Sequence, residues 1–164
     1  MILEGFYGQK VELPEDLLYY PPQELWVRPV GKNGELAFGV THAGAILVSG
    51  FTYLEYIAQV GDQLEKEDDV LFVETYKAII NIQAPISGRI TQINENLKGE
   101  KVSILEHNCY GNPLFLMAPK EPIDPKKVFL DVEAYKQALL RGESDHCGAG
   151  ARVQRRSKYQ KEES

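Results

Sequence analysis

The chain has 164 residues, 24 of them acidic and 18 basic for a formal net charge of −6, and 43% are hydrophobic. That length holds one domain with a real core, and the negative balance excludes the basic footprint of a nucleic-acid binder. The first twenty residues show no cationic start leading into an apolar run, and no stretch holds eighteen uninterrupted apolar residues, so a cytoplasmic protein with no membrane partner is expected.

Residues 1–24 form an N-terminal extension of short pieces broken by proline. Within it, Pro14-Glu15-Asp16-Leu17-Leu18 reads as one helical turn, because proline is tolerated at a helix start, and Pro21-Pro22 stops it. From Leu25 the pattern becomes that of strands. Leu25 to Val30 and Glu35 to Val40 flank the turn Gly31-Lys32-Asn33-Gly34, which is a hairpin signal. The Ala-rich segment Thr41 to Leu47 predicts a short helix capped by Thr41. Further strands are expected at Phe51 to Ile57, Val70 to Thr75, Ala78 to Ile82 and Gly88 to Ile93. Short strands separated by frequent turns predict a small sandwich or barrel over residues 25–120.

Residues 121–142 form a C-terminal helical segment that packs on this domain. Asp131 is its expected N-cap, Val132, Tyr135 and Leu139 its apolar face, and Gly142 its stop. Residues 143–164 lack the apolar side chains that would offset the entropy of ordering, which predicts a disordered tail.

The chemistry centres on Lys77. An apolar run, Val70 to Val73, climbs through Glu74-Thr75-Tyr76 to the lysine, and a β-branched run descends to Ala84-Pro85-Ile86-Ser87-Gly88, where the chain turns. A rigid hairpin of this kind presents an amine at its apex without burying it. An isolated turn lysine is ordinarily just a solvated charge. The surrounding motif, Glu-Thr-Tyr-Lys-Ala followed by Ala-Pro-Ile-Ser-Gly, resembles the attachment hairpin of the biotinyl/lipoyl domain family. Biotinyl domains flank their lysine with methionines, and neither Met1 nor Met117 is near, so the resemblance implies lipoate, amide-linked to Lys77.

Over roughly Leu13 to Arg141 the chain resembles the glycine cleavage H proteins. Leu13 to Leu17, Trp26-Val27-Arg28, Gly39-Val40-Thr41, Val60-Gly61, Asn94 to Leu97, Tyr110-Gly111 and the helix around Tyr135 fall in the family's order. The resemblance implies a mostly β, barrel-sandwich hybrid fold of the lipoyl-domain kind with short flanking helices. It implies a non-catalytic carrier shuttling an aminomethyl group and electrons on a swinging lipoyl-lysine arm. The implied partners are a lipoate ligase or lipoyl transferase, glycine decarboxylase, aminomethyltransferase and dihydrolipoyl dehydrogenase. H-like lipoate-binding proteins of sulfur oxidation are a second resemblance; their partner is a heterodisulfide-reductase-like complex and their cargo sulfur. A non-lipoylated scaffold of the same fold is a third possibility. Departures from the family pattern at Glu24, Tyr56 and Pro113 are expected to alter the surface that partners read.

Other chemistry-bearing residues carry less. Cys109 and Cys147 lie in unlike contexts and make neither a disulfide framework nor a zinc spacing. Cys109 is expected to be structural, and His42 a capping or solvated histidine without a role. His146-Cys147 lacks the four-ligand pattern of a metal site, so no metal is expected. The basic run from Arg152 to Lys161 and the acidic run Glu65 to Asp69 read as solvated charge, with the acidic run placed near the attachment hairpin.

Overall fold

In a computed structural model, residues 1–31, 33–48 and 50–145 are described. The chain opens with β1 (Ile2–Phe6) and β2 (Gln9–Glu12), a separate two-stranded hairpin. Tyr7 and Gly8 turn it with φ of 51° and 78°, the two positive values that a tight hairpin turn of primed type needs. β3 (Leu18–Tyr20), β4 (Leu25–Val30) and β5 (Glu35–Val40) follow, then α1 (His42–Val48) and β6 (Phe51–Tyr56). After β7 (Gln63–Leu64) come β8 (Asp69–Thr75), β9 (Ile79–Gln83) and β10 (Gly88–Ile93). α2 (Leu105–Asn108), β11 (Phe115–Pro119), α3 (Pro125–Val128) and α4 (Val132–Asp145) complete the described chain.

The strands β3-β4-β5-β11-β10-β7 form a six-stranded sheet, and β6-β8-β9 a three-stranded one; the pairings are antiparallel. The expected mostly β fold with short helices is the fold observed. Period-2 alternation along β4 and β5 decides the packing. Leu25, Val27, Phe38 and Val40 face the three-stranded sheet and meet Leu54, Leu71, Val73 and Ile82 in the main core. Trp26 and Ala37 face the other way into a second cluster with Leu3, Phe6 and Val11 of the N-terminal hairpin, Ala43 of α1, and Tyr135 and Leu139 of α4. Gly39 is required here, since a Cβ would lie 2.3 Å from the Trp26 ring.

Several expectations change. Residues 14–18 are not a helical turn: Glu15 and Asp16 form a simple turn and Leu18 already begins β3, because edge pairing of β3 with β4 outweighs the local proline signal. Gly142 does not stop α4, which runs on to Asp145 with Gly142 at an ordinary negative φ; glycine inside a helix costs only about 1 kcal/mol. Residues 143–145 of the expected tail are thus helical, while 146–164, with His146, Cys147 and the basic run, lie outside the described residues. The Asp131 cap and the Thr41 cap are both present, donated to by Ala134 N–H at 2.8 Å and Gly44 N–H at 2.9 Å.

Candidate functional site

Lys77 sits where β8 and β9 meet. The ladder ends at the Glu74–Ile79 pair, leaving Thr75 to Ala78 to turn the chain. Thr75 builds that turn. Its backbone N–H donates to Ala78 O at 2.8 Å, and its hydroxyl oxygen accepts from the N–H groups of Lys77 (3.2 Å) and Ala78 (3.1 Å). A threonine side chain substituting for a turn carbonyl in this way is what makes a tight polar apex possible between two β-branched strands. The side chain of Lys77 is exposed and makes no hydrogen bond or ion pair among the described residues.

The apex rests on neighbouring elements. Thr75 pairs with Phe51 at the start of β6, and the Thr52 hydroxyl donates to Glu74 O at 2.9 Å. The register of β6 on β8 shifts between Phe51 and Tyr53, and the Phe51 N–H donates instead to the Glu106 carboxylate of α2 at 3.1 Å. Exposed apolar side chains accompany the lysine: Tyr76, Ile79 and, one rung in, Tyr53. The acidic run is not beside it. Glu65 to Asp68 precede β8 and Asp69 opens it, at the end opposite Lys77, about 20 Å away for six strand residues.

The remaining predicted residues fall into structural roles. Cys109 is buried, its carbonyl accepts from the Trp26 indole N–H at 3.1 Å, and burial pushes its thiol up to about 11, away from the thiolate a reactive cysteine needs. His42 is part of a closure: its Nδ1 accepts from Glu12 N–H (2.9 Å), its own N–H donates to the Tyr110 hydroxyl (3.0 Å), and that hydroxyl donates to Glu12 O (2.5 Å). This ring pins β2 to α1. Among the described residues no group of three or more His, Cys, Asp and Glu is placed to hold a metal ion.

Glu24, Tyr56 and Pro113, expected to alter the surface that partners read, are each half-buried and hydrogen-bonded within the fold. The Tyr135 hydroxyl donates to the Glu24 carboxylate at 2.6 Å and lies 2.9 Å from the Thr41 hydroxyl, while its ring stacks on Tyr19 at 4.5 Å and 3°. Burial, with the Glu24 charge adding to it, holds the Tyr135 phenol well above its ordinary range. The Tyr56 hydroxyl donates to Leu114 O (2.6 Å) and accepts from Asn94 N–H (3.1 Å), and burial pushes it up to about 12. Pro113 O accepts from the Asn94 side-chain amide at 2.9 Å. These hydrogen bonds tie distant parts of the fold together, and each of the three residues keeps part of its surface exposed.

Known proteins place this architecture. The model of a family described as Glycine cleavage H-protein matches residues 17–141. The glycine cleavage system H protein of Nitrosospira multiformis is 34% identical over 136 residues, 83% of this chain and 100% of the relative. That of Alteromonas mediterranea is 28% identical over 127 residues, 77% of this chain and 95% of the relative. Among solved structures, a glycine cleavage system H protein from Mycobacterium marinum superposes with a TM-score of 0.64 at 18% identity, covering 77% of this chain and 98% of that one, which bears on the fold alone. With most of its length matched by that family and its strands in the same arrangement, the chain belongs to the glycine cleavage H-protein family, a family of lipoyl carriers.

Proposed function

We propose that the protein is a non-catalytic carrier in glycine cleavage, with lipoate amide-linked to Lys77, and that residues 25–120 are the carrier domain proper. The observation that carries this reading is a lysine at the apex of a hairpin, exposed and unpaired among the described residues. The residues present suit the group: the ε-amine is open to a modifying enzyme, and Tyr76, Ile79 and Tyr53 offer apolar surface beside it. When attached, the lipoyl dithiolane supplies reversible thiol–disulfide chemistry and a place to carry an aminomethyl fragment.

The chain's own contribution is presentation. The Thr75 turn holds the backbone of Lys77, and the pairing of β6, β8 and β9 keeps the apex on a stiff base, so the arm swings from a fixed origin. Amide formation removes the one cation at the apex and brings the formal charge of the chain one unit further from zero. The partners proposed are a lipoate ligase or transferase, glycine decarboxylase, aminomethyltransferase and dihydrolipoyl dehydrogenase. The named relatives are described by glycine cleavage, which favours aminomethyl cargo over sulfur.

Intact-mass spectrometry tests the reading. Expressed with lipoate and a competent ligase, the protein is expected to gain one lipoyl group, and Lys77→Arg to gain none. An unmodified wild-type protein under those conditions overturns it.

A further inference from the structure

The apex carries a large aromatic side chain that the fold does not need as core: Tyr76 is 81% exposed. Its ring is nevertheless placed. A Cβ built on Gly50 would lie 2.2 Å from both Cδ2 and Cε2 of Tyr76, so the ring lies against the glycine's bare backbone. Gly50 also has φ +95°, a conformation that only glycine adopts without strain. Two independent features, the missing Cβ and the backbone angle, therefore make residue 50 a seat for this ring.

The seat is itself fixed. Gly50 separates the α1 region from β6, and the next residue, Phe51, pairs with Thr75 and donates its N–H to Glu106 of α2. The Thr75 turn orders the apex internally, and the ring on Gly50 ties it to a different part of the chain. The Tyr76 hydroxyl makes no hydrogen bond among the described residues, so the ring and not its oxygen makes the contact.

We infer that Tyr76, seated on Gly50, is a positioning residue for the acylation of Lys77: it holds the apex in the orientation that the acylating enzyme accepts. The inference rests on the reading of Lys77 as the attachment site. The step joins Nζ of Lys77 to the carboxyl carbon of an adenylated lipoate, breaks that carbon's bond to its AMP leaving group and releases two protons from the ammonium to solvent; nothing is oxidised or reduced. An apex already ordered spares the enzyme the cost of ordering it on docking, whereas the bond-making step, once the amine is seated, is unaffected. Loss of the seat should therefore appear in KM and leave kcat alone.

The test is steady-state acylation of the full chain by a lipoate–protein ligase with lipoate and ATP. Tyr76→Phe is expected to match wild type, and Tyr76→Ala to raise KM about tenfold at unchanged kcat. Gly50→Ala is expected to raise KM by a similar factor alone and by nothing further in the Tyr76→Ala background, the coupling expected of one shared contact. Equal KM for Tyr76→Ala and wild type overturns the positioning role, as does a normal Gly50→Ala. A wild-type chain that takes no lipoyl group sinks the Lys77 reading instead, so the two failures are distinct. If Gly50→Ala does not fold, amide exchange at residues 76–78 decides: faster in Tyr76→Ala but not Tyr76→Phe supports the seat, and equal exchange in all three proteins overturns it.

Discussion

The hairpin apex and the Tyr19–Tyr135 junction are opposite solutions to placing polar side chains. At the apex, Lys77 stands exposed and unpaired among the described residues, and the local hydrogen bonds come from Thr75 within three residues. At the junction, Tyr135 lies fully buried, stacked on Tyr19, and its hydroxyl meets Glu24 and Thr41 from positions 111 and 94 residues away. On the proposed reading, a side chain to be handed to another protein is left free of the fold's own bonds, whereas one that closes the fold is given partners for its polar atom. The function and the stability of the chain should therefore respond to different substitutions.

Four substitutions or conditions probe that separation. The largest effect expected is all-or-none: Lys77→Arg abolishes the lipoyl mass gain while the unfolding free energy from urea titration stays within about 0.5 kcal/mol of wild type, as for surface changes generally. A destabilised Lys77→Arg would mean that the apex is part of the fold. Conversely, Tyr135→Ala removes a buried ring and leaves Glu24 without its phenol donor, for a loss of about 3–5 kcal/mol in denaturant unfolding, with the apex still acylated at temperatures where the variant is folded.

A pH titration of stability gives the next effect. Tyr56 has an ordinary phenol value of 10.0 raised to about 12 in the fold, so above pH 10 the unfolded chain loses the proton that the folded chain keeps. Stability contributed by the neutral phenol is then full below pH 10 and is lost as pH rises toward 12, at about 1.4 kcal/mol per pH unit for one group. Cys109, raised from 9.0 to about 11, adds loss of the same sign beginning one unit lower. Tyr56→Phe should make thermal unfolding less steeply dependent on pH between 10 and 12; an unchanged slope would assign the alkaline loss to other groups.

The smallest effect is local. Thr75→Val keeps the β-branched shape but removes the acceptor for the amides of Lys77 and Ala78. Because both amides can turn to water, the expected cost is about 1 kcal/mol or less, read as faster amide exchange at residues 77 and 78 with global stability little changed.

How legible these regions were follows from how local their causes are. The hairpins Leu25–Val30 with Glu35–Val40 and Asp69–Thr75 with Ile79–Gln83 show in alternation and turn residues that lie side by side in sequence. The N-terminal hairpin does not, because its turn places Tyr7, a residue with no left-handed preference, at φ 51° and lacks the Asn-Gly or Asp-Gly signal. Phe115–Pro119 is also hard to read: a five-residue apolar run that pairs on both sides, with β5 and β10, shows no alternation to separate strand from helix. At the site, Lys77 and its turn were readable, whereas the seat on Gly50 and the Glu106 contact were not. They join positions 26 and 55 residues apart, and no short-range pattern encodes such a meeting.

By itself, then, the sequence determined the mostly β architecture and the lysine offered at a hairpin apex, since both arise from residue preferences acting over a few positions. The tertiary structure alone decided which distant groups Glu24, Tyr56 and Pro113 bond to, that the acidic run lies at the far end of β8, and that an aromatic ring rests on Gly50 beside the lysine. Burial and hydrogen-bond partnership are properties of the packed whole, and the same glutamate or tyrosine reads as surface or as core until its distant partners are in place.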